Sequence, residues 1–214
     1  MDPPPHQGSS GAISSAQVTP RVTTFHLPEN FHSERDFTIT DDLGEPWLKV
    51  NRKPWSLRRK TFLFNGRSGE PVALIERKLR SLYRSQGDYR ILAATPNQPD
   101  QASTGSLQGA SLYRFAELKA SANPSYSSAY SCCEGSAAGP EVWLVNAGGE
   151  SQALEVVPAN DESLCVVRVD GAASSMNGEL TYGITCAPGV DPVQAICVAL
   201  IQSIASPPPR PDLS

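Results

Sequence analysis

The feature that most constrains the fold of this chain is an apolar segment near the end of the printed sequence, from Val193 to Ile204. Its residues are apolar on nearly every side, and only Gln194, Gln202 and Ser203 are polar. A helix on the surface of a globular protein has a single apolar stripe, so a helix that is apolar all round is predicted to be enclosed by the rest of the protein.

The start of this helix is predicted at Pro192. Asp191 can accept hydrogen bonds from the free amides of the first turn, proline suits the first helical position, and Gln194 completes a capping box. The prolines from Pro207 onward end the helix, which leaves a length of roughly 21 Å for about 14 residues. A membrane-spanning helix needs about 20 apolar residues. We therefore interpret the segment as a buried core helix, with a membrane segment as the alternative.

The composition predicts one folded domain with a tail at each side. The chain has 214 residues, of which 39% are apolar, and this is enough for a substantial core. Residues 1–20 are rich in Pro, Gly and Ser, and residues 206–214 are rich in Pro, so both are predicted to be disordered. The domain is placed at 21–205. The proline run at 207–211 suits an SH3- or WW-type partner, and a merely disordered end is the alternative.

Most of the domain is predicted to be β-structure. Short runs rich in β-branched and aromatic residues recur between turn-forming residues, which predicts about twelve strands. These runs are 21–26, 36–40, 46–50, 60–65, 72–77, 80–84, 89–94, 111–118, 141–147, 152–157, 163–169 and 179–186. Several alternate between apolar and polar residues, so the sheet should have one dry face and one wet face. Together with the helix, this favours an antiparallel β-barrel closed around the C-terminal helix.

Two turns and two loops are predicted between these strands. Residues 41–46 and 65–71 each place glycine between two apolar runs, and glycine allows the positive φ that hairpin turns use. Each should therefore form a hairpin. Residues 97–109 and 121–140 are dominated by Ser, Ala, Gly and Pro, and they are predicted to be long loops.

Three stretches carry a resemblance to a known family. They are Phe37 to Val50, Phe62 to Ile75, and the Ala-Pro-Gly-Val-Asp run at 187–191 before the apolar helix. With these stretches the chain resembles the LURP-one-related family over roughly residues 21–205. The resemblance implies the fold shared with the tubby C-terminal domain and the phospholipid scramblases, a twelve-stranded antiparallel barrel around a central hydrophobic helix. Pro192 departs from the bulky residue expected after the aspartate, and it still fits a helix start.

Few residues suit enzyme chemistry. The three histidines, His6, His26 and His32, lie in or just after the N-terminal tail, so a histidine-based triad or metal site in the barrel is not expected. The cysteines lack zinc spacing, and the glycine-rich turns lack the Gly-Lys-Ser/Thr ending of a phosphate loop. We predict no enzyme activity, no cofactor and no metal.

The sequence also favours a cytoplasmic location. Met1 is followed by Asp and prolines rather than by a basic and then apolar signal segment. The five cysteines are an odd number without framework spacing, which indicates free thiols in a reducing compartment. No transmembrane segment is predicted, and peripheral association with membranes remains open.

The charge distribution gives the main indication of a binding partner. Residues 49–90 contain twelve Lys or Arg against three acids, a balance of +9 in a chain whose net charge is −4. Such asymmetry points to an anionic partner. The candidate lipid- or anion-binding residues are Arg52, Lys53, Trp55, Arg58, Arg59, Lys60, Arg77, Lys78, Arg80, Tyr83 and Arg84. Mixed cations and aromatic rings suit anionic phospholipid headgroups.

Other interpretations of the basic region remain open. The cations can simply be the solvated faces of hairpins that blunt an edge strand. Nucleic acid is not expected, because the sequence has no reading helix and no base-stacking motif. The resemblance to tubby implies phosphoinositide binding, although a fold alone does not carry a function.

The preferred prediction is a non-enzymatic adaptor that binds anionic phospholipid membranes, such as those containing phosphoinositides. A scramblase-like lipid-handling protein is the first alternative, and it is disfavoured by the absence of a spanning segment and of an acidic calcium site. A protein-interaction scaffold without lipid binding is the second alternative.

Overall fold

The computed structural model describes residues 21–28, 31, 35–53, 59–78, 87–95, 106–107, 110–120, 128–134, 139–147, 154–161, 165–170, 173–174 and 180–205. They form fourteen strands and one helix. The strands are β1 Thr23–Pro28, β2 Phe37–Asp41, β3 Pro46–Lys53, β4 Lys60–Asn65, β5 Pro71–Arg77, β6 Tyr89–Thr95, β7 Ser106–Leu107, β8 Ala110–Ala120, β9 Ser128–Glu134, β10 Glu141–Ala147, β11 Leu154–Pro158, β12 Val167–Val169, β13 Ala173–Ser174 and β14 Leu180–Cys186. The helix, α1, is Pro192–Ala205.

Twelve of the strands form a closed antiparallel barrel. The order is β1-β2-β3-β4-β5-β6-β8-β9-β10-β11-β12-β14, and β14 then pairs with β1. This last pairing runs from Thr23 opposite Cys186 to Pro28 opposite Thr181. The two-residue strands β7 and β13 attach to β8 and β14. The predicted twelve-stranded barrel around a C-terminal helix is confirmed.

The inner face of the barrel and the helix form one core. Inward residues such as Leu27, Ile39 and Leu63 have no exposed surface, and the same holds for Ile196 and Leu200 of α1. Strand residues point alternately to the two faces of a sheet, which explains why alternate residues such as Phe25 and Leu27 of β1 reach this core. The enclosed helix predicted from the all-round apolar pattern is therefore observed.

The turn into the helix explains where α1 begins. Gly189 has a φ of +81°, and Val190 N donates to Ala187 O at 3.3 Å, as in a turn with proline at its second position and glycine at its third. Asp191 Oδ1 then accepts hydrogen bonds from Val193 N at 2.8 Å and from Gln194 N at 3.3 Å. The carboxylate thus caps the first turn, as the sequence predicted.

Both predicted hairpins are present. In the turn between β2 and β3, Asp41 Oδ1 accepts from Leu43 N at 3.0 Å and from Glu45 N at 2.9 Å. In the turn between β4 and β5, Asn65 Oδ1 accepts from the amides of Arg67 and Ser68, both at 2.9 Å. These side chains satisfy turn amides that the strands leave without partners.

The interpretation of 121–140 as one long loop is wrong. β9 lies inside this stretch and pairs with β8 on one side and β10 on the other. Its Ser, Ala and Cys residues have weak strand propensity, and pairing with two neighbours overrides that preference. The short strand β7 likewise lies within the predicted loop 97–109. The predicted strand 80–84 and the predicted tails at 1–20 and 206–214 lie outside the described residues.

The five cysteines are free thiols, and four of them are buried. Burial raises the pKa of Cys132 and of Cys186 to about 12, and it raises the pKa of Cys197 as well. The thiolate is the reactive form, so these buried groups stay protonated and inert at neutral pH. Cys165 is exposed, and its Sγ lies 3.3 Å from Val167 O.

This distribution predicts how the thiols react. With a disulfide reagent at neutral pH, the native protein should titrate about one thiol, because only the thiolate of an accessible cysteine reacts rapidly. The unfolded protein should titrate all five cysteines of the sequence. A Cys165→Ala variant should lose the rapid reaction with the reagent. If three or more thiols of the native wild type react rapidly, the closed core is contradicted.

Candidate anion-binding surface

The strand order gives the barrel two chemically different ends. β3, β5 and β8 finish at one end, where β4, β6 and β9 begin, because neighbouring strands are antiparallel. β14 finishes at the opposite end, so α1 starts there and runs toward the first end inside the barrel. No helix among the described residues is long and apolar enough to cross a membrane.

Basic residues concentrate at the first end, which we call the cationic end. Among the described residues, its strand termini and adjoining positions carry ten basic residues against five acids. The basic residues are Arg35, Arg52, Lys53, Arg59, Lys60, Arg77, Lys78, Arg90, Lys119 and Arg168, and the acids are Asp36, Glu76, Asp88, Glu155 and Asp170. Lys53 and Arg59 are exposed, and Lys60 is half-buried. The cationic end is therefore the part of the described surface that can attract an anion.

The opposite end is acidic. In the described part of the chain, its turns and strand termini contain Arg21 and Arg67 against eight acids. The acids are Asp41, Asp42, Glu45, Glu70, Glu134, Glu141, Asp161 and Asp191. The net charge of −4 thus hides a charge separation along the barrel, and the two ends cannot approach an anionic surface equally well.

The six predicted candidates that the structure describes do not form one continuous exposed surface. Arg52 packs its guanidinium over the ring of Phe37, with Cζ 5.2 Å from the ring centroid. Arg77 is 9% exposed and lies on the inner face, two residues after Ile75. Of the described candidates, Lys53 and Arg59 are exposed to an approaching surface. Trp55, Arg58, Arg80, Tyr83 and Arg84 lie outside the described residues.

Lys78 belongs to a row of ion pairs on the outer wall. Its Nζ lies 2.9 Å from Glu117 Oε2, and the Glu117 side chain is almost fully buried. In the neighbouring pair, Arg90 Nη1 lies 3.4 Å from Glu76 Oε1. Removing one member of such a pair leaves a buried charge uncompensated, so these groups stabilise the wall rather than attract ligands.

A polar group of side chains lies just inside the cationic end. We call it the mouth cluster, and its members are Arg59, Arg77, Tyr89 and Tyr130. Arg77 and Tyr89 are partners in the β5–β6 ladder. The rings of Tyr89 and Tyr130 meet edge to face, with centroids 6.3 Å apart. The exposed Arg59, which has a left-handed φ of +43°, directly precedes β4 at the same end of the barrel.

Both tyrosines have a raised pKa, and the neighbouring cations act against that rise. Burial raises the pKa of Tyr89, while Arg77 and then Arg59 act in the lowering direction. Burial also raises the pKa of Tyr130, the neighbouring Tyr89 raises it further, and Arg77 lowers it. Both hydroxyls therefore keep their protons at neutral pH and can donate hydrogen bonds.

Tyr130 stands out because its hydroxyl is buried and has no hydrogen-bond partner among the described residues. Buried hydroxyls are nearly always bonded to protein or to an ordered molecule. Sequence reasoning missed both tyrosines. Tyr89 has no sequence signal beyond that of a strand residue, and Tyr130 lies in the stretch that is predicted to be a loop. For Arg77 a signal does exist, because the period-two pattern of Ala73, Ile75 and Arg77 indicates an inward side chain.

The described residues offer little for catalysis or metal binding. His26 Nε2 lies 3.5 Å from Asp42 Oδ1 on the exposed surface of the barrel. His6 and His32 lie outside the described residues. No group of three or more His, Cys, Asp or Glu side chains with metal-binding geometry occurs in the described part of the chain.

Comparison with known proteins gives a family match and a structural match. The family model described as LOR, LURP-one-related, matches residues 23–202. No curated protein sequence matches the chain significantly. A crystal structure of an Arabidopsis thaliana protein superposes with a TM-score of 0.60 at 15% identity, and the match covers 90% of this chain and 96% of that one. At this identity the structural match shows a shared fold.

Proposed function

This chain belongs to the LURP-one-related family, and from that premise we propose that it is a non-enzymatic adaptor that docks on anionic phospholipid membranes through the cationic end of its barrel. The concentration of basic residues at one end supports the proposal most directly. The proposed location is the cytoplasm, with reversible association at membrane surfaces.

The exposed cations make such docking physically reasonable. Lys53 and Arg59 are exposed at the end of the barrel where, among the described residues, basic side chains outnumber acidic ones. Each Lys or Arg near an anionic membrane surface contributes about 1 kcal/mol, and the attraction decays within a Debye length of about 8 Å at physiological ionic strength. The acidic end would be repelled, so the protein should bind in one orientation.

The test is binding to vesicles that contain phosphatidylserine. The double variant Lys53→Gln with Arg59→Asn removes two exposed charges, and asparagine tolerates the left-handed backbone at position 59. It should lower vesicle affinity by up to about thirtyfold. The affinity of the wild type should fall steeply as salt is added, because the attraction is electrostatic.

The matched control removes two charges elsewhere. Lys49 is exposed on β3, away from the end of that strand, and Arg67 lies in the turn at the acidic end. The double variant Lys49→Gln with Arg67→Gln should retain nearly all vesicle affinity. Equal losses in both double variants would show that net charge, and not the cationic end, governs binding. If the wild type does not bind anionic vesicles at low salt, membrane docking is contradicted and the protein-interaction scaffold remains as the alternative.

The scramblase-like alternative predicts an additional activity. A scramblase moves labelled lipid between the leaflets of a vesicle, whereas an adaptor only binds to the outer leaflet. Vesicles reconstituted with the protein are treated with a reductant that cannot cross the membrane. If the reductant bleaches only the outer-leaflet probe and the inner-leaflet probe stays protected, the adaptor is supported.

A further inference from the structure

We infer that the mouth cluster is a binding site for one phosphate monoester group, held just inside the cationic end of the barrel. The inference deepens the proposed membrane function and rests on it only for the source of the ligand. It starts from the Tyr130 hydroxyl, which is buried without a hydrogen-bond partner among the described residues.

The cluster presents hydrogen-bond donors in a dry environment. Tyr89 is 2% exposed and Tyr130 is fully buried, and both hydroxyls remain protonated. Arg77 adds a guanidinium, whose planar group of donors suits phosphate oxygens. An anion that enters beside Arg59 would therefore exchange water for charge-assisted hydrogen bonds, which are the stronger kind.

The burial of Tyr89 and Tyr130 favours a terminal phosphate over a bridging one. A monoester offers three oxygens to the donors and leaves its single substituent pointing toward solvent, past Arg59. A diester, such as the phosphate of phosphatidylserine, carries a substituent on each side, and one of the two would have to enter the packed interior. The cluster is therefore expected to distinguish monoesters from the diester phosphates present in every phospholipid.

Asp88 is the acid that acts against an anion here. Its carboxylate raises the pKa of Tyr130 slightly, as a lesser contribution than burial. One of its oxygens, Oδ1, accepts a hydrogen bond from Ala120 N at 3.2 Å. Among the described residues, two arginines against this carboxylate leave the cluster with a positive balance. An anion is therefore preferred to a cation.

Gly87 gives a way to disturb the cluster without changing its charge. A methyl group on Gly87 would overlap Arg77 Nε and would lie 2.8 Å from Cζ and 2.9 Å from Nη2. The guanidinium sits at the end of a flexible side chain, so it can move away while the fold is retained. Gly87→Ala should thus displace the arginine from its place beside Tyr89.

The experiment measures binding of inositol trisphosphate and of inorganic phosphate by calorimetry at constant ionic strength. Wild-type protein should bind inositol trisphosphate at one saturable site. Tyr130→Phe should weaken this binding at least about tenfold, since a hydrogen bond to a charged group is lost. Gly87→Ala should weaken it similarly. Binding of Tyr130→Phe to phosphatidylserine vesicles should be unchanged, because no charge is removed.

The outcomes separate this inference from the proposed function. Phosphatidylserine binding without inositol trisphosphate binding overturns the phosphate site and leaves membrane docking intact. Full inositol trisphosphate affinity in Tyr130→Phe also overturns the site. Tyr130→Phe should melt at or above the wild-type temperature, because the change removes a buried hydroxyl that lacks a partner. Loss of binding is then not a consequence of unfolding.

A competition arm identifies the source of the phosphate. If inositol trisphosphate displaces the protein from vesicles that contain phosphorylated phosphatidylinositol, the group comes from a lipid headgroup. If those vesicles bind no better than phosphatidylserine vesicles while the soluble probe still binds, the group comes from a soluble phosphate monoester. Either result supports the site. The absence of any saturable binding contradicts it.

Discussion

Replacing Ile196 by aspartate should unfold the protein. Ile196 lies in the middle of α1 with no exposed surface, inside a core to which the strands of the barrel contribute. A carboxylate there would be desolvated without a cation to pair with, and the change also removes a large apolar side chain. The expected loss is several kcal/mol, a large fraction of the roughly 5–15 kcal/mol that stabilises an ordinary domain.

The measurement is circular dichroism during thermal unfolding, with a matched substitution as control. Leu43 is 86% exposed in the turn between β2 and β3. Leu43→Asp makes nearly the same chemical change at the surface and should leave the melting temperature almost unchanged. A folded Ile196→Asp protein with the wild-type melting temperature would contradict the interpretation that the helix is enclosed.

Among substitutions that add only one methyl group, Gly66→Ala should lower the stability of the protein most. A Cβ at Gly66 would lie 2.5 Å from Pro46 O and 2.6 Å from Pro46 C, and both are backbone atoms of β3. Gly66 N also donates to Trp47 O at 2.8 Å, and this bond would be stretched as the strands move apart. Overpacking together with a weakened hydrogen bond should destabilise the protein by about 3 kcal/mol.

Gly183→Ala provides the comparison for this loss. A Cβ at Gly183 would meet Thr24 Cγ2 at 3.9 Å, which is an ordinary contact. The two variants add the same methyl group to strand-associated glycines, so the difference in unfolding free energy isolates the backbone clash. About 3 kcal/mol corresponds to a fall of roughly 6–12 °C in melting temperature for a domain of this size. Similar melting temperatures for the two variants would show that the approach of residues 46 and 66 is not rigid.

The elements predicted well from the sequence are those specified by local chemistry. Asp191 and Pro192 mark the helix start through a side-chain cap and a fixed φ, and the turns at Asp41 and Asn65 are closed by their own side chains. Such signals act within a few residues. They can therefore be recognised without knowing what packs against them.

The features that escaped prediction depend on distant neighbours. β9 is a strand because β8 and β10 pair with it, and its own residues would not specify that state. The closeness of Tyr89 to Tyr130 depends on the registers of β6, β8 and β9, which one sequence does not determine. Arg77 was grouped with surface cations because of its charge, while its place two residues after Ile75 turns it inward.

The closed barrel also determines when the chain can complete its folding during synthesis. β1 pairs with β14, and the helix that fills the barrel follows β14. Closure therefore cannot be complete before residue 186 has left the ribosome, and filling cannot be complete before residue 205 has left it. Until then the inner faces of up to twelve strands remain without their central partner. Such contacts between distant parts of a chain form slowly and leave apolar surface exposed to aggregation. We expect nascent chains of this protein to engage holding chaperones until the helix emerges, and then to be released in one cooperative step.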